Sequence, residues 1–208
     1  MIENIVRNNG FDYVDLYLPS GTLWSIMNIG ASKPSDPGLY FQWGDTKGYT
    51  ADQIGYKNGK KAFIWTDCKF GIDRNNLRFS KYATPGETLK LEDDIAHIHM
   101  GGSWHIPSLK QFQELIDNTT SEWTSLGGMK GIIFISKKNA SKSIFIPAAG
   151  FVSLNIISGI GCVCSIWAST LNMNNSDYGQ CAYFGPYNIQ RSSFTLRCNG
   201  YSVRGVIG

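Results

Sequence analysis

Three histidines, His97, His99 and His105, fall within nine residues, and two cysteines, Cys162 and Cys164, stand one residue apart. Imidazoles and thiolates are the side chains most used for metal ligation and for nucleophilic or redox work, so chemistry would be sought here first. Neither spacing serves it. His97 and His99 are two apart on an expected helix and so point to different faces. Cys162-x-Cys164 is tighter than a zinc knuckle, which needs two or more residues between ligands, and no neighbouring base is visible to activate a thiol. Adjacent Asp93 and Asp94 diverge on a helix and suit its first turn, where carboxylates answer the dipole. No enzyme and no catalytic residue are expected. No cofactor or metal is expected either, a structural calcium being the one alternative left open.

The elements that would hold these residues are short. Tyr13 to Leu18 and Leu23 to Ile29 are strand-like runs around the turn signal Pro19-Ser20-Gly21, and predict a hairpin. Residues 31–50 read as loop, and 51–90, polar with scattered aromatics, as an insertion of unassigned role. A first helix is predicted over Leu91 to His99. A second starts at the capping box Ser108-x-x-Gln111 behind Pro107. Its Phe112, Leu115 and Ile116 give one buried face, and it ends near Asn118-Thr119. Gly131 to Ser136 and Lys142 to Ile146 form another hairpin around Asn139-Ala140-Ser141, closed by Pro147-Ala148-Ala149-Gly150.

At 208 residues the chain suffices for one large domain with a real core. Charged residues are 17%, aromatics 13%, and glycines number 23, which favours strands and turns over long helices. The net charge is +3. The densest basic pieces, Lys57 to Lys61 and Lys137 to Lys142, read as solvated loops, so nucleic acid is not an expected partner. No run of 18 apolar residues exists, so no membrane insertion is expected. The start, MIENIVRNNG, lacks the basic-then-apolar pattern of a signal peptide: either export by that route is not used, or a signal precedes this sequence. Five cysteines, an odd number, suggest free thiols of a reducing compartment more than a disulfide framework.

Charge divides the chain. Residues 1–150 carry 31 charged side chains and residues 151–208 only four: Asp177, Arg191, Arg197 and Arg204. The second stretch has no Lys or Glu and is rich in the Tyr, Ser, Gly and Asn that binding loops favour. Asn172, Asn174, Asn175, Ser176, Tyr178, Tyr183, Tyr187, Asn188, Ser192, Ser193 and Tyr201 are therefore candidate ligand-reading positions. An ordinary polar loop region of a β-rich protein has the same composition.

The segments YVDLYLPSGTLWSIMNIGA (13–31), GLYFQWGDT (38–46), LEDDIAHIHMGGSWHIPSLKQFQELI (91–116), FIPAAG (145–150), IWAST (166–170) and GYSVRGV (200–206), in that order, resemble the Fibrobacter succinogenes major paralogous domain family of gut Bacteroidetes and their phages. The most specific piece is Gly101 to Ser108. That family has Arg at the position of His105 and an acid at that of Gln111. The resemblance implies an α+β, C-type-lectin-like fold of the formylglycine-generating-enzyme type, with two helices packed on short antiparallel strands and much irregular loop, over 1–208. The calcium-dependent sugar triplets of animal C-type lectins, Glu-Pro-Asn and Gln-Pro-Asp, do not occur.

The resemblance further implies a variable protein of a diversity-generating retroelement, in which adenines of template codons are randomised near the C-terminus over about 162–204. Asn codons can then become Ser, Tyr, Cys or Ile but not Lys or Glu. On that reading Cys162, Cys164, Ile166, Cys181 and Cys198 face outward with the Asn, Ser and Tyr positions, and Tyr183 and Tyr187 are aromatic anchors. Trp167, Ala168, Ser169, Met173, Gln180, Phe184, Gln190, Phe194, Leu196, Val203 and Val206 are fixed scaffold. The implied partner is a cell-surface protein or glycan, and the implied setting a phage tail or bacterial surface. The alternatives are a surface module of the same fold with a fixed ligand or an assembly role, and, third, an oxidase of the formylglycine-generating type using Cys162 and Cys164.

Overall fold

The computed structural model describes residues 6–57, 59–73, 78–187 and 189–208, the side chains of residues 73 and 189–192 apart. The protein is mixed α+β, with mostly antiparallel strands, two α-helices and much loop. The predicted first hairpin forms from β2 (Phe11–Asp15) and β3 (Leu23–Asn28), with β1 (Val6–Asn8) on its outer side. Further along the chain, β4 (Gly71–Asp73) and β5 (Arg78–Phe79) make a small ribbon inside 51–90.

Around the first helix the sequence reading needs one adjustment. A 3-10 turn at Leu91–Asp93 is followed by α1 (Ile95–Met100), with Asp94 as the residue between them. The Asp94 carboxylate accepts from the backbone N–H groups of Ala96 and His97 with one oxygen and of Ile106 with the other. It thus caps the helix and pins the following Gly101–Ser108 turn to it. Burial raises the Asp94 pKa against those hydrogen bonds. Burial also pushes Asp93 upward, but hydrogen bonds from Lys81, Tyr82 and Lys69 outweigh it and the net shift is downward. These partners tie the 3-10 turn to the 51–90 segment.

The second helix forms as its capping box dictates. In α2 (Leu109–Asn118) the Ser108 hydroxyl accepts from the Gln111 N–H, and the Gln111 side chain accepts from the Ser108 N–H. Phe112 and Leu115 are buried, and Ile116 is partly buried beside them. Three strands follow, β6 (Thr119–Leu126), β7 (Met129–Ser136) and β8 (Ser143–Pro147), in one antiparallel sheet. The predicted hairpin is β7–β8. β6 was not foreseen, because Thr119 to Leu126 is mostly exposed and lacks an apolar alternation.

β9 (Phe151–Ser153) and β10 (Ile156–Ser158) form a two-stranded hairpin. β11 (Cys164–Leu171), β12 (Tyr178–Phe184) and β13 (Ile189–Leu196) form a three-stranded antiparallel sheet in that order. β14 (Arg204–Ile207) returns to pair with β3, giving the order β1-β2-β3-β14.

The β11–β12 pair is a septum between two apolar clusters. Cys164, Ile166 and Ala168 join Ala182 and Phe184 in one, with Phe112, Phe134 and Trp24. Trp167, Leu171 and Cys181 join the other, with Trp43, Phe70 and Tyr201. A strand alternates its side chains between faces, so one buried on both sides carries no charge on either. The 51–90 segment is part of this architecture: its Cys68, Phe70, Phe79, Tyr82 and Leu89 are buried in the second cluster.

Candidate functional site

The structure separates the sixteen candidate positions into those that face out and those that do not. Cys164, Ile166, Cys181, Cys198 and Tyr201 were expected on the surface and are buried, none more than 6% exposed. Each has a packing reason. Cys164 and Ile166 project into one core and Cys181 into the other. Cys198 is packed beside Cys68 in the same cluster. Tyr201 stacks on Trp167 with centroids 4.6 Å apart. Cysteine here behaves as a small apolar residue. Burial pushes the thiols of Cys164, Cys181 and Cys198 up to about 12, and the Cys164 thiol donates to the Ile146 carbonyl.

This placement also divides Cys162 from Cys164, since the former is exposed and the latter fully buried. The two thiols cannot meet one substrate. Among the described residues the cysteines are all free. A thiol reagent such as Ellman's is therefore expected to modify one cysteine per native chain within minutes, and five after denaturation. More than one fast thiol before unfolding would contradict the burial of the other four.

Asn188 and the Ser192 side chain lie outside the described residues. The remaining positions fall at two ends of the β11–β12–β13 sheet. At one end lie exposed Cys162, half-buried Tyr183 and Tyr187, the last 99% exposed. At the other lie Asn172, Asn174, Asn175, Ser176 and Tyr178. β12 spans the gap in six residue steps, which is roughly 20 Å. Ser193 is half-buried on β13 and pairs with Cys181. The sheet thus offers two surfaces and not one platform.

The β11–β12 loop is built by its own side chains. The Asn172 carboxamide oxygen accepts from the N–H groups of Asn174 and Asn175, and that of Asn175 accepts from the N–H of Asp177. Such Asx turns commit these two asparagines to folding the loop. Asn174 and Ser176 stand at its rim, exposed and half-exposed. The loop is then fixed from below by Arg197, whose backbone N–H donates to the Asp177 carbonyl and whose guanidinium donates to the Ser176 carbonyl.

Two residues expected as scaffold belong to the surface. Phe194 is 57% exposed, and its ring meets Tyr178 edge-on with centroids 5.5 Å apart. Met173 is 65% exposed and lies over Gly86. The register supplies the missing signal for Phe194: it pairs with Gln180, two residues from the Tyr178–Leu196 pair, so Tyr178 and Phe194 share a face. Trp167, Ala168, Ser169, Phe184, Val203 and Val206 are buried as expected.

Two of the three histidines are engaged elsewhere. His105 contacts the Ser103 carbonyl with Nδ1 and the Gln111 side chain with Nε2, and His99 packs against Phe11. Among the described residues no group of three or more His, Cys, Asp or Glu is placed to hold a metal ion, and no helix is long and apolar enough to cross a membrane. Comparison with protein-family models, with curated proteins and with solved structures finds no match to this chain.

Proposed function

We propose that the protein is a non-enzymatic binding module of C-type-lectin-like fold, formylglycine-generating-enzyme type, whose ligand meets the outer end of the β11–β12–β13 sheet. The observation that carries this reading is the pair of half-buried Tyr178 and exposed Phe194 beside the uncharged Asn174–Ser176 rim. Such a pair offers rigid aromatic area that costs little entropy to order, with polar groups alongside to orient a ligand. The loop beneath is held in shape before any ligand arrives, which favours affinity. A fixed ligand, a surface protein or glycan, is the reading that the committed Asn172 and Asn175 favour. The oxidase alternative loses support from the separation of Cys162 and Cys164.

The test is binding of the full chain to a glycan array and to bacterial envelopes, compared with Tyr178→Ala/Phe194→Ala. A loss of at least about tenfold in binding, corresponding to 1.4 kcal/mol or more, is expected while the melting curve stays in place. Undiminished binding by the double variant would refute this location.

The diversified form of the reading is supported by the positions that remain outward: Cys162, Asn174, Ser176, Tyr178, Tyr183, Tyr187 and Ser193. These are sites that a varied surface can use without touching either core. A near-identical template repeat beside the gene is then expected, differing from this sequence at adenines of those codons. Differences spread over the codons of buried Cys164, Ile166, Cys181, Cys198 and Tyr201 would exclude it, because random residues there would destroy the septum.

A further inference from the structure

The geometry points to a second copy of this chain as the occupant of the free edge of β6, paired antiparallel about Trp123. β6 meets β7 in unbroken register over eight residues, and Gly127 and Gly128 join them at φ 56° and 86°, the type I′ turn that preserves a hairpin's twist. Hydrogen-bonded and non-bonded pairs alternate along such a ladder, and three observed bonds fix their phase. The Ala148 N–H donates to the Lys130 carbonyl and the Ser136 N–H to the Lys142 carbonyl, so even-numbered residues of β7 turn their backbone groups to the β8 side. The Lys137 N–H donates to the Asn118 carbonyl, so odd-numbered ones turn to β6. Their partners on β6 are the even-numbered residues. The N–H and C=O groups of Ser121, Trp123 and Ser125 therefore point away from the sheet, and among the described residues β6 has no strand but β7 beside it.

Other edges are covered or broken. Residues 86–89 bond along β11, His105 bridges to Val206 of β14, and the β12–β13 ladder has a register shift. β6 has no proline, lysine or bulge, the devices that keep an edge from pairing, and a single charge, Glu122. Its own copy fits it in three respects. With Trp123 opposite the partner's Trp123, Ser121 falls opposite the partner's Ser125, and the N–H and C=O groups of all three residues find partners by symmetry. Glu122 falls opposite the partner's Thr124, so the one charge of the strand does not meet its like. Trp123 is half-buried against the Phe112–Phe134 cluster, and the rest of its ring meets its twin in a cross-strand aromatic pair. The net charge of +3 adds little repulsion between copies. A ladder of this length buries less than the roughly 800 Å² per partner of a standard stable complex, so the dimer is a weak one.

The experiment is sedimentation equilibrium of the full chain, with melting curves alongside. A reversible monomer–dimer equilibrium with a Kd on the order of 100 µM is expected. Ser125→Pro removes an outward N–H and none of the bonds to β7, a place where an edge strand accepts proline. It should weaken association by about tenfold or more while the melting curve stays in place. Thr124→Glu and Thr124→Lys test the register even if the proline variant folds poorly. Position 124 faces the partner's Glu122, so the first should raise the Kd and the second lower it, each by about threefold, and added salt should shrink both changes. Tyr178→Ala/Phe194→Ala should leave association unchanged, which keeps its fate separate from that of the ligand surface. A chain still monomeric at about 1 mM would overturn the proposal and leave the edge to an extended segment of another protein. Full association by a folded Ser125→Pro variant, or Kd shifts of the same sign in both Thr124 variants, would equally overturn it.

Discussion

Replacing Arg197 with alanine is expected to cost about 4 kcal/mol of unfolding free energy, enough to remove a large part of the stability of an ordinary domain. Arg197 is fully buried. Its guanidinium carbon stands 3.8 Å from the Phe79 ring centroid and 4.9 Å from that of Trp43. Its Nη1 donates to the carbonyls of Tyr82 and Ser176 and its Nη2 to that of Lys81. Burial pulls its pKa down to about 10, so it remains cationic at neutral pH, and no carboxylate hydrogen-bonds to it among the described residues. Two terms oppose each other on truncation. Relief of a buried charge favours the variant. A large cavity and three orphaned carbonyls disfavour it, at about 2–5 and about 1–3 kcal/mol respectively in comparable cases. The second pair wins, because the rings around the guanidinium already compensate part of its desolvation.

Controls separate these terms. Arg197→Met refills most of the volume and should recover about half of the loss, leaving the carbonyls unpaired. Arg197→Lys should do no better than Met, since one ammonium cannot span three carbonyls and lie flat on Phe79. Urea denaturation of the three variants reads all of this, and a change below about 1 kcal/mol for Arg197→Ala would show that the cage is energetically neutral. The function is linked to the same side chain. Arg197 joins the 51–90 segment to the β11–β12 loop, so its loss should also weaken ligand binding at Tyr178 without any contact to the ligand.

The parts of this fold that were legible in the sequence are those whose signals are local. The Ser108–Gln111 box, the Phe112/Leu115/Ile116 spacing and the Asn139-Ala140-Ser141 turn each specify their element through neighbours within four residues, and the structure contains all three. Asp94 was legible as a helix-start residue but not as the clamp on Ile106, twelve positions on. The C-terminal region misled for a related reason. Its lack of Lys and Glu fits a varied surface. Burial of β11 on both faces gives the same composition for a different cause. Only the partners of Cys164 and Cys181, which come from distant segments, distinguish the two. Phe194 failed in the opposite sense, since an aromatic on a strand is usually buried, and its exposure depends on register.

Gly179→Ala should be the most costly single methyl group added near the site, at about 3 kcal/mol. Nothing in the backbone requires glycine there; space does. An added Cβ would lie 2.6 Å from Cδ1 of Trp43 and 2.8 Å from Cζ3 of Trp167. Overpacking usually costs about 1–3 kcal/mol, and this case belongs at the upper end because neither indole can yield. The Trp43 Nε1 donates to the Ala168 carbonyl and the Trp167 Nε1 to the Phe41 carbonyl, while Trp167 is stacked on Tyr201. Strand β12 must therefore move instead. Gly179 adjoins Tyr178, and it pairs with Leu171 on one side and Thr195 on the other, so the shift is passed to the Tyr178–Phe194 pair. The variant should melt several degrees lower and bind more weakly at the β11–β12–β13 end. Gly131→Ala supplies the comparison: its Cβ would meet the Ile146 carbonyl oxygen at 2.2 Å in the β7–β8 sheet, so it should destabilise as much. Per unit of lost stability, however, it should spare the aromatic pair. If the two variants lose binding in equal proportion to stability, the packing of Trp43 and Trp167 under Tyr178 has no special part in shaping the surface.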